Sequence, residues 1–199
     1  MRRHIRAALA ILTAAVVGLG ATSCTSSPDA GNPADPGKGG GMDGAVNAPN
    51  GDPRVTALLR SGIQQARQKH WATATTTFHS VLSIDPRNLY ALYDLGVIAQ
   101  TKTDAALALS YYDKALASDG TYTPAMYNKA IVLENSKPRQ AIALYSQITA
   151  IDPQASTAYL RMAFVEAELG DLVQARVADA KAVAIEPSLA KYHLPAKKR

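Results

Sequence analysis

A repeated pattern constrains the fold of this chain more than any other feature of its sequence. Four alanines, Ala74, Ala108, Ala141 and Ala175, recur with a nearly constant period of about 34 residues, a length typical of proteins in which similar units stack on their neighbours. A proline or glycine stands twelve positions after each alanine, at Pro86, Gly120, Pro153 and Pro187. The sequence therefore predicts four similar units.

Two further positions repeat in register with the alanines. A small residue stands eleven or twelve positions before each alanine, at Gly62, Gly96, Ala130 and Ala163. Four positions after each alanine stand Phe78, Tyr112, Tyr145 and, in the fourth unit, Asp179. Each unit contains two apolar-periodic stretches separated by a polar break, which predicts a helical hairpin. We expect the small residue and the alanine to allow close approach of the two helices, and Asp179 to lie at a partly exposed end unit.

The repeat resembles the tetratricopeptide family over residues 55–188. The second unit matches the family pattern best, through Leu92, Leu95, Gly96, Ala108 and Tyr112. The resemblance implies an all-α fold, a solenoid of four tetratricopeptide-like hairpins wound as a right-handed superhelix. The expected repeats are residues 54–87, 88–121, 122–154 and 155–188, followed by a short cap and basic tail over 189–199.

In the resembled family, the first helix of each hairpin lines a concave groove that binds other proteins. The matching helices of this chain carry large apolar residues one turn apart, together with one asparagine. The resulting candidate groove residues are Leu59, Ile63, Tyr90, Tyr93, Val97, Tyr127, Asn128, Ile131, Leu160 and Phe164. The alternative is that many of these side chains pack between neighbouring repeats, because apolar stripes at helical spacing often form a core.

Residues 1–23 have the three-part pattern of an export signal. Arg2, Arg3 and Arg6 precede an apolar run from Ala7 to Gly20, which is shorter than the roughly 20 residues that a membrane-spanning helix needs. The small residues before Cys24 resemble a bacterial lipobox, which implies a signal peptide of the lipoprotein type over residues 1–23 and lipidation of Cys24. Cys24 is the only cysteine, so it has no partner for an internal disulfide. The alternative to lipidation is that Cys24 is a chance unpaired cysteine. The alternatives to a lipid anchor are that the protein is secreted or is held in the membrane by an uncleaved signal anchor.

Residues 24–53 are rich in glycine, proline, Asp and Asn, and large apolar side chains are sparse there. A segment of this composition buries too little apolar surface to offset the conformational entropy lost on folding, so we expect a disordered tether between the anchor and the repeats. The GKGGG stretch lacks the spacing of a phosphate-binding loop.

The charge and the motifs exclude several classes of function. The formal net charge is +5, but loss of residues 1–23 leaves 18 basic against 16 acidic side chains. We therefore expect no nucleic-acid partner. His70 and His79 lack metal-ligand spacing, and no nucleophile motif is present. The sequence predicts no cofactor, no metal and no enzymatic activity.

These observations favour a membrane-tethered adaptor or scaffold that binds another protein or peptide. The expected location is the outer face of the cytoplasmic membrane or the periplasm. The alternative function is a non-catalytic accessory subunit of a cell-envelope enzyme or of a secretion or assembly complex.

Overall fold

The computed structural model describes residues 52–192 and 194. Eight α-helices are present in this part of the chain, and they form paired hairpins. The helices are α1 Pro53–Arg67, α2 Trp71–Ile84, α3 Leu89–Thr101, α4 Ala105–Ser118, α5 Thr123–Leu133, α6 Pro138–Ile151, α7 Ser156–Leu169 and α8 Leu172–Ile185. A 3₁₀-helix, Pro187–Tyr192, follows α8. The predicted all-α, tetratricopeptide-like fold class is confirmed.

Short polar residues and glycine fix several helix ends. The side chains of Asp52, Asn88 and Asp104 accept hydrogen bonds from backbone N–H groups in the first turns of α1, α3 and α4. These caps satisfy donors that a helix leaves unpaired at its start. Gly170 ends α7 with φ of 90°, in the left-handed region where glycine is favoured.

The repeated small residue and aromatic residue explain how the first two hairpins close. A Cβ atom placed on Gly62 would lie 2.7 Å from Cε1 of Phe78, and one placed on Gly96 would lie 2.5 Å from Cε1 of Tyr112. A side chain at either position would force the facing ring to shift, because both distances are shorter than a van der Waals contact. The ring of the second helix therefore packs directly on the glycine of the first.

The described chain divides into two compact units, one ending at Val132 and the other beginning at Leu133. In the first unit, α1 packs on α2 and α3, and α3 packs on α4. One buried cluster surrounds Leu59 and Phe78, and a second contains Leu92, Tyr93 and Tyr112. Two consecutive hairpins thus share a core within this unit.

In the second unit, α7 packs on α6 and α8, and the 3₁₀-helix packs on α8. Leu189 and Leu194 are buried in its core, and Tyr192 packs against it. These residues fall in the stretch for which a cap was expected, and the assignment of a cap and tail to residues 189–199 stays a prediction. The expected exposure of Asp179 is wrong, because Asp179 is 1% exposed and its Oδ2 accepts a hydrogen bond from the Leu194 backbone N–H at 3.3 Å. The carboxylate secures the cap where the other units carry a ring.

The predicted signal peptide over 1–23, the lipidated Cys24 and nearly all of the tether lie outside the described residues. Asp52 and Pro53, assigned to the tether from the sequence, instead belong to the start of α1. Among the helices of the described part, none has the length and apolar character required to span a bilayer.

Candidate functional site

Most of the predicted groove residues are buried. Eight of them are at most 8% exposed, namely Leu59, Ile63, Tyr93, Tyr127, Asn128, Ile131, Leu160 and Phe164. Tyr90 and Val97 are half-buried. The eight buried side chains pack inside the protein, and Tyr90 and Val97 are the members of the set with the most accessible surface. The binding role of the set stays a prediction.

The structure joins only part of this set. Leu59 and Ile63 belong to the first cluster of the first unit, against which Tyr90 also packs. Tyr93 lies in the second cluster, and its hydroxyl oxygen accepts a hydrogen bond from Nδ2 of Asn128 at 3.0 Å. Leu160 and Phe164 lie in the core of the second unit.

Four tyrosines of the first unit form a connected group, which we call the tyrosine cluster: Tyr90, Tyr93, Tyr112 and Tyr122. The ring of Tyr122 meets those of Tyr93 and Tyr90 edge to face, with centroids 5.4 and 6.2 Å apart and interplanar angles of 85° in both pairs. Tyr93 and Tyr112 lie 6.1 Å apart. Edge-to-face contacts are a favoured geometry for aromatic pairs. The four rings therefore form a continuous series of aromatic contacts, in which Tyr90 and Tyr122 are the half-buried members.

Asp94 directly follows Tyr93 in α3 and carries a buried carboxyl group. Asp94 is 2% exposed, and neither of its carboxyl oxygens has a hydrogen-bond partner among the described residues. Burial raises the pKa of Asp94 well above its ordinary value of 3.8. Burial also raises the pKa values of Tyr93, Tyr112 and Tyr122, and the nearby Asp94 charge raises all three further. The tyrosine cluster thus has as its neighbour in sequence a buried acid that has no hydrogen-bond partner among the described residues.

The second unit contains a buried ion pair that sequence reasoning missed. Arg161 is fully buried, and it donates hydrogen bonds from Nε and Nη2 to the two carboxylate oxygens of Glu134 at 2.8 and 2.6 Å. Tyr145 donates its hydroxyl proton to Glu134 Oε1 at 2.6 Å and accepts from Arg161 Nε at 3.0 Å. The bidentate geometry and the extra hydrogen bond make this a structural element of the second unit.

Tyr122 and Asp94 were also absent from the predicted site. The signal for Tyr122 was local abundance, because six of the nine tyrosines of the chain lie between positions 90 and 127. The signal for Asp94 was its repeat position, which Asn128 and Arg161 occupy in the next two units. Neither pattern predicts which of these side chains forms a hydrogen bond or a ring contact in the folded chain.

No group of three or more metal-binding side chains occurs within residues 52–192. His70 and His79 are exposed, and His79 Nε2 lies 3.4 Å from the hydroxyl of Tyr111.

Comparison with known proteins identifies the fold. No protein-family model matches the chain. A solved structure of MamA from Desulfovibrio magneticus RS-1 superposes with a TM-score of 0.65 at 20% identity, over 71% of this chain and 80% of that one. YrrB, a TPR protein with an unusual peptide-binding site, superposes with a TM-score of 0.61 at 23% identity, over 69% and 73%. The chain has the tetratricopeptide-repeat fold. Pseudomonas aeruginosa PilF shares this tetratricopeptide architecture, with a TM-score of 0.62 at 24% identity, over 69% of this chain and 64% of that chain.

Curated relatives match the tetratricopeptide region in sequence. Cellulose synthase operon protein C of Komagataeibacter xylinus is 30% identical over 117 residues, which are 56% of this chain and 9% of that protein. A probable UDP-N-acetylglucosamine–peptide N-acetylglucosaminyltransferase, SPINDLY of Solanum lycopersicum, is 33% identical over 79 residues, 40% of this chain and 8% of that protein. The chain thus matches less than a tenth of the length of either relative.

Proposed function

We propose that this protein is a non-catalytic interaction module that binds a segment of a partner protein against the tyrosine cluster. The observation that carries the proposal is the pair Tyr90 and Tyr122, whose rings meet edge to face and remain half-buried. Tyrosine offers broad apolar contact and a hydroxyl group at low entropic cost, and it is enriched among residues that dominate binding energy. The likeness to YrrB, a TPR protein with a peptide-binding site, supports a peptide-like ligand.

The best test is partner capture by the full chain from detergent-solubilised membranes after chemical cross-linking. Replacement of Tyr90 by Ala should weaken capture by more than about 1 kcal/mol if Tyr90 is a binding hot spot. The matched control is Tyr159→Ala, because Tyr159 is a half-buried tyrosine of the other unit. Loss of capture in Tyr90→Ala with retention in the control supports the proposal. Equal capture by both variants and the wild type would refute it.

We also propose that the module is tethered to a membrane through a lipidated Cys24, on the outer face of the cytoplasmic membrane or in the periplasm. The support is the lipobox-like sequence around the only cysteine of the chain. Two acyl chains hold a protein stably on a bilayer, whereas one gives marginal binding. Cys24→Ala should move the protein to the soluble fraction or block processing of the signal. Membrane fractionation and intact mass measure this, and an unmodified Cys24 in the mature wild type would contradict it.

The likeness to cellulose synthase operon protein C favours a second candidate, an accessory subunit of a cell-envelope enzyme. The same capture experiment separates the two. A single enzyme recovered at equal stoichiometry indicates a subunit, whereas non-enzymatic partners indicate an adaptor.

A further inference from the structure

One residue of the tyrosine cluster and two residues next to it carry buried polar atoms that have no hydrogen-bond partner in the described part of the chain. Both carboxyl oxygens of Asp94, Oδ1 of Asn128 and the hydroxyl of Tyr122 have no hydrogen-bond partner there. Leaving a buried polar group unpaired destabilises the folded state, and leaving a buried charge unpaired destabilises it more. Buried polar groups without a hydrogen-bond partner are rare in folded proteins, and those that occur often have a functional explanation.

These atoms belong to one site in the first unit. Asn128 donates from Nδ2 to the Tyr93 hydroxyl at 3.0 Å, and the Tyr93 ring lies 5.4 Å from that of Tyr122. The Asp94 charge acts on the phenols of both Tyr93 and Tyr122, raising the pKa of each. Asp94 directly follows Tyr93 in α3, and the Tyr90 ring lies 6.2 Å from that of Tyr122. The unpaired oxygens thus belong to one tyrosine of the cluster and to two residues adjacent to or bonded to another.

Comparison of equivalent repeat positions shows which polar neighbours the Asp94 position lacks. Arg161, two repeats later, is bound by Glu134 and Tyr145 of the preceding repeat. The residues equivalent to Glu134 and Tyr145 in the repeat that precedes Asp94 are Ala66 and Phe78, which carry no hydrogen-bonding side chain. The position that is satisfied internally in the second unit is thus left unsatisfied in the first.

We propose that Asp94 receives a basic side chain, lysine or arginine, from the partner segment that docks on the tyrosine cluster. The proposal rests on the proposed function and adds the chemistry of the partner. The two unpaired carboxyl oxygens require a donor, and a cationic donor also allows Asp94 to ionise although it is buried. Tyrosine rings attract cations, and they pack against the aliphatic stem of lysine or arginine. A metal ion fits less well, because the described residues hold no group of three metal-binding side chains.

In this proposal, the basic side chain reaches Asp94 by displacing the ring of Tyr122. Tyr122 lies just before α5 and is half-buried. Its hydroxyl makes no hydrogen bond to the described residues, so displacing the ring breaks no hydrogen bond with them. The edge-to-face contacts with Tyr90 and Tyr93 are what a ligand has to replace. A cation with an apolar stem replaces both the contacts and the missing charge.

The test uses the full chain in detergent and two acetylated, amidated pentapeptides, Ala-Leu-Lys-Leu-Ala and the same peptide with norleucine in place of lysine. Norleucine retains the aliphatic stem and removes the charge. Isothermal titration should give about tenfold tighter binding of the lysine peptide, equivalent to ~1.4 kcal/mol. Asp94→Asn should abolish this preference, and it should still fold because it removes an uncompensated acid. Asp171→Asn removes an exposed carboxylate and should keep the preference.

Equal affinity for the two peptides, an unchanged preference in Asp94→Asn, or no saturable binding of the lysine peptide would each overturn the inference. The proposed function fails separately, when partner capture is independent of Tyr90. Equal binding of both peptides that is lost in Tyr90→Ala would refute the role of Asp94 and leave the docking surface standing.

Discussion

Replacing Arg161 by Met should destabilise the protein more than any surface change. Arg161 is fully buried and makes two hydrogen bonds to Glu134, whose side chain is only 4% exposed. The substitution leaves the Glu134 carboxylate buried with the Tyr145 hydroxyl as its remaining hydrogen-bond donor among those described. Removing one partner of a buried pair typically costs 3–5 kcal/mol, so we expect a loss of about 3–5 kcal/mol in the free energy of unfolding.

The double variant Glu134→Met/Arg161→Met distinguishes the ion pair from simple packing. It removes both charges and leaves methionines to fill the space, so its stability should lie within ~2 kcal/mol of the wild type. Urea unfolding followed by circular dichroism at pH 7 measures the variants, together with Glu134→Met, as a double-mutant cycle. The control is Lys129→Met, which breaks the more exposed Lys129–Asp113 pair at 2.6 Å and should cost under about 1 kcal/mol. A loss below ~1 kcal/mol for Arg161→Met, or a double variant as unstable as the single one, would refute the reasoning.

Two further predictions test the packing and the acid of the first unit. Gly96→Ala should lower the free energy of unfolding by about 1–3 kcal/mol, because its Cβ would lie 2.5 Å from Tyr112 Cε1. Gly120→Ala would meet only a backbone oxygen at 3.7 Å and should change it by less than ~0.5 kcal/mol. Thermal unfolding that finds Gly120→Ala to be the less stable variant would contradict this account of the packing. Because the folded-state pKa of Asp94 is raised, its stabilising effect is complete below 3.8 and is lost as the pH rises towards the folded value. Asp94→Asn should therefore gain stability over the wild type with rising pH; urea midpoints that differ equally at pH 3.5 and pH 7 would show that Asp94 does not titrate in this way.

The hairpin fold was predictable because its determinants repeat in the sequence. Gly62 and Gly96 stand where a ring of the paired helix needs the space of a side chain, and the spacing from Gly62 to Phe78 recurs between Gly96 and Tyr112. Local patterns of this kind specify local packing. The caps at Asn88 and Asp104 follow the same logic, since each acts on a backbone group within one helical turn of itself.

The candidate site was less predictable, because burial depends on what packs against each helix. Apolar spacing placed Tyr93 and Leu160 on the predicted groove, but both are nearly inaccessible in the folded chain. Arg161 bonds to Tyr145 and Glu134, which lie far from it along the chain. No local sequence rule predicts such a pairing. The exposure of Asp179 was misjudged for the same reason, since its hydrogen-bond partner Leu194 comes from beyond the last hairpin.

Site-specific photo-cross-linking tests the central claim, that the tyrosine cluster is the docking surface, most directly. A photoreactive phenylalanine derivative is placed at Tyr90 in one full-length variant and at Thr76, an exposed position on α2 of the same unit, in another. Illumination of cells that express each variant should yield a covalent partner adduct from position 90 and little or none from position 76. Adducts from position 76 alone, or equal adducts from both positions, would contradict docking on the tyrosine cluster.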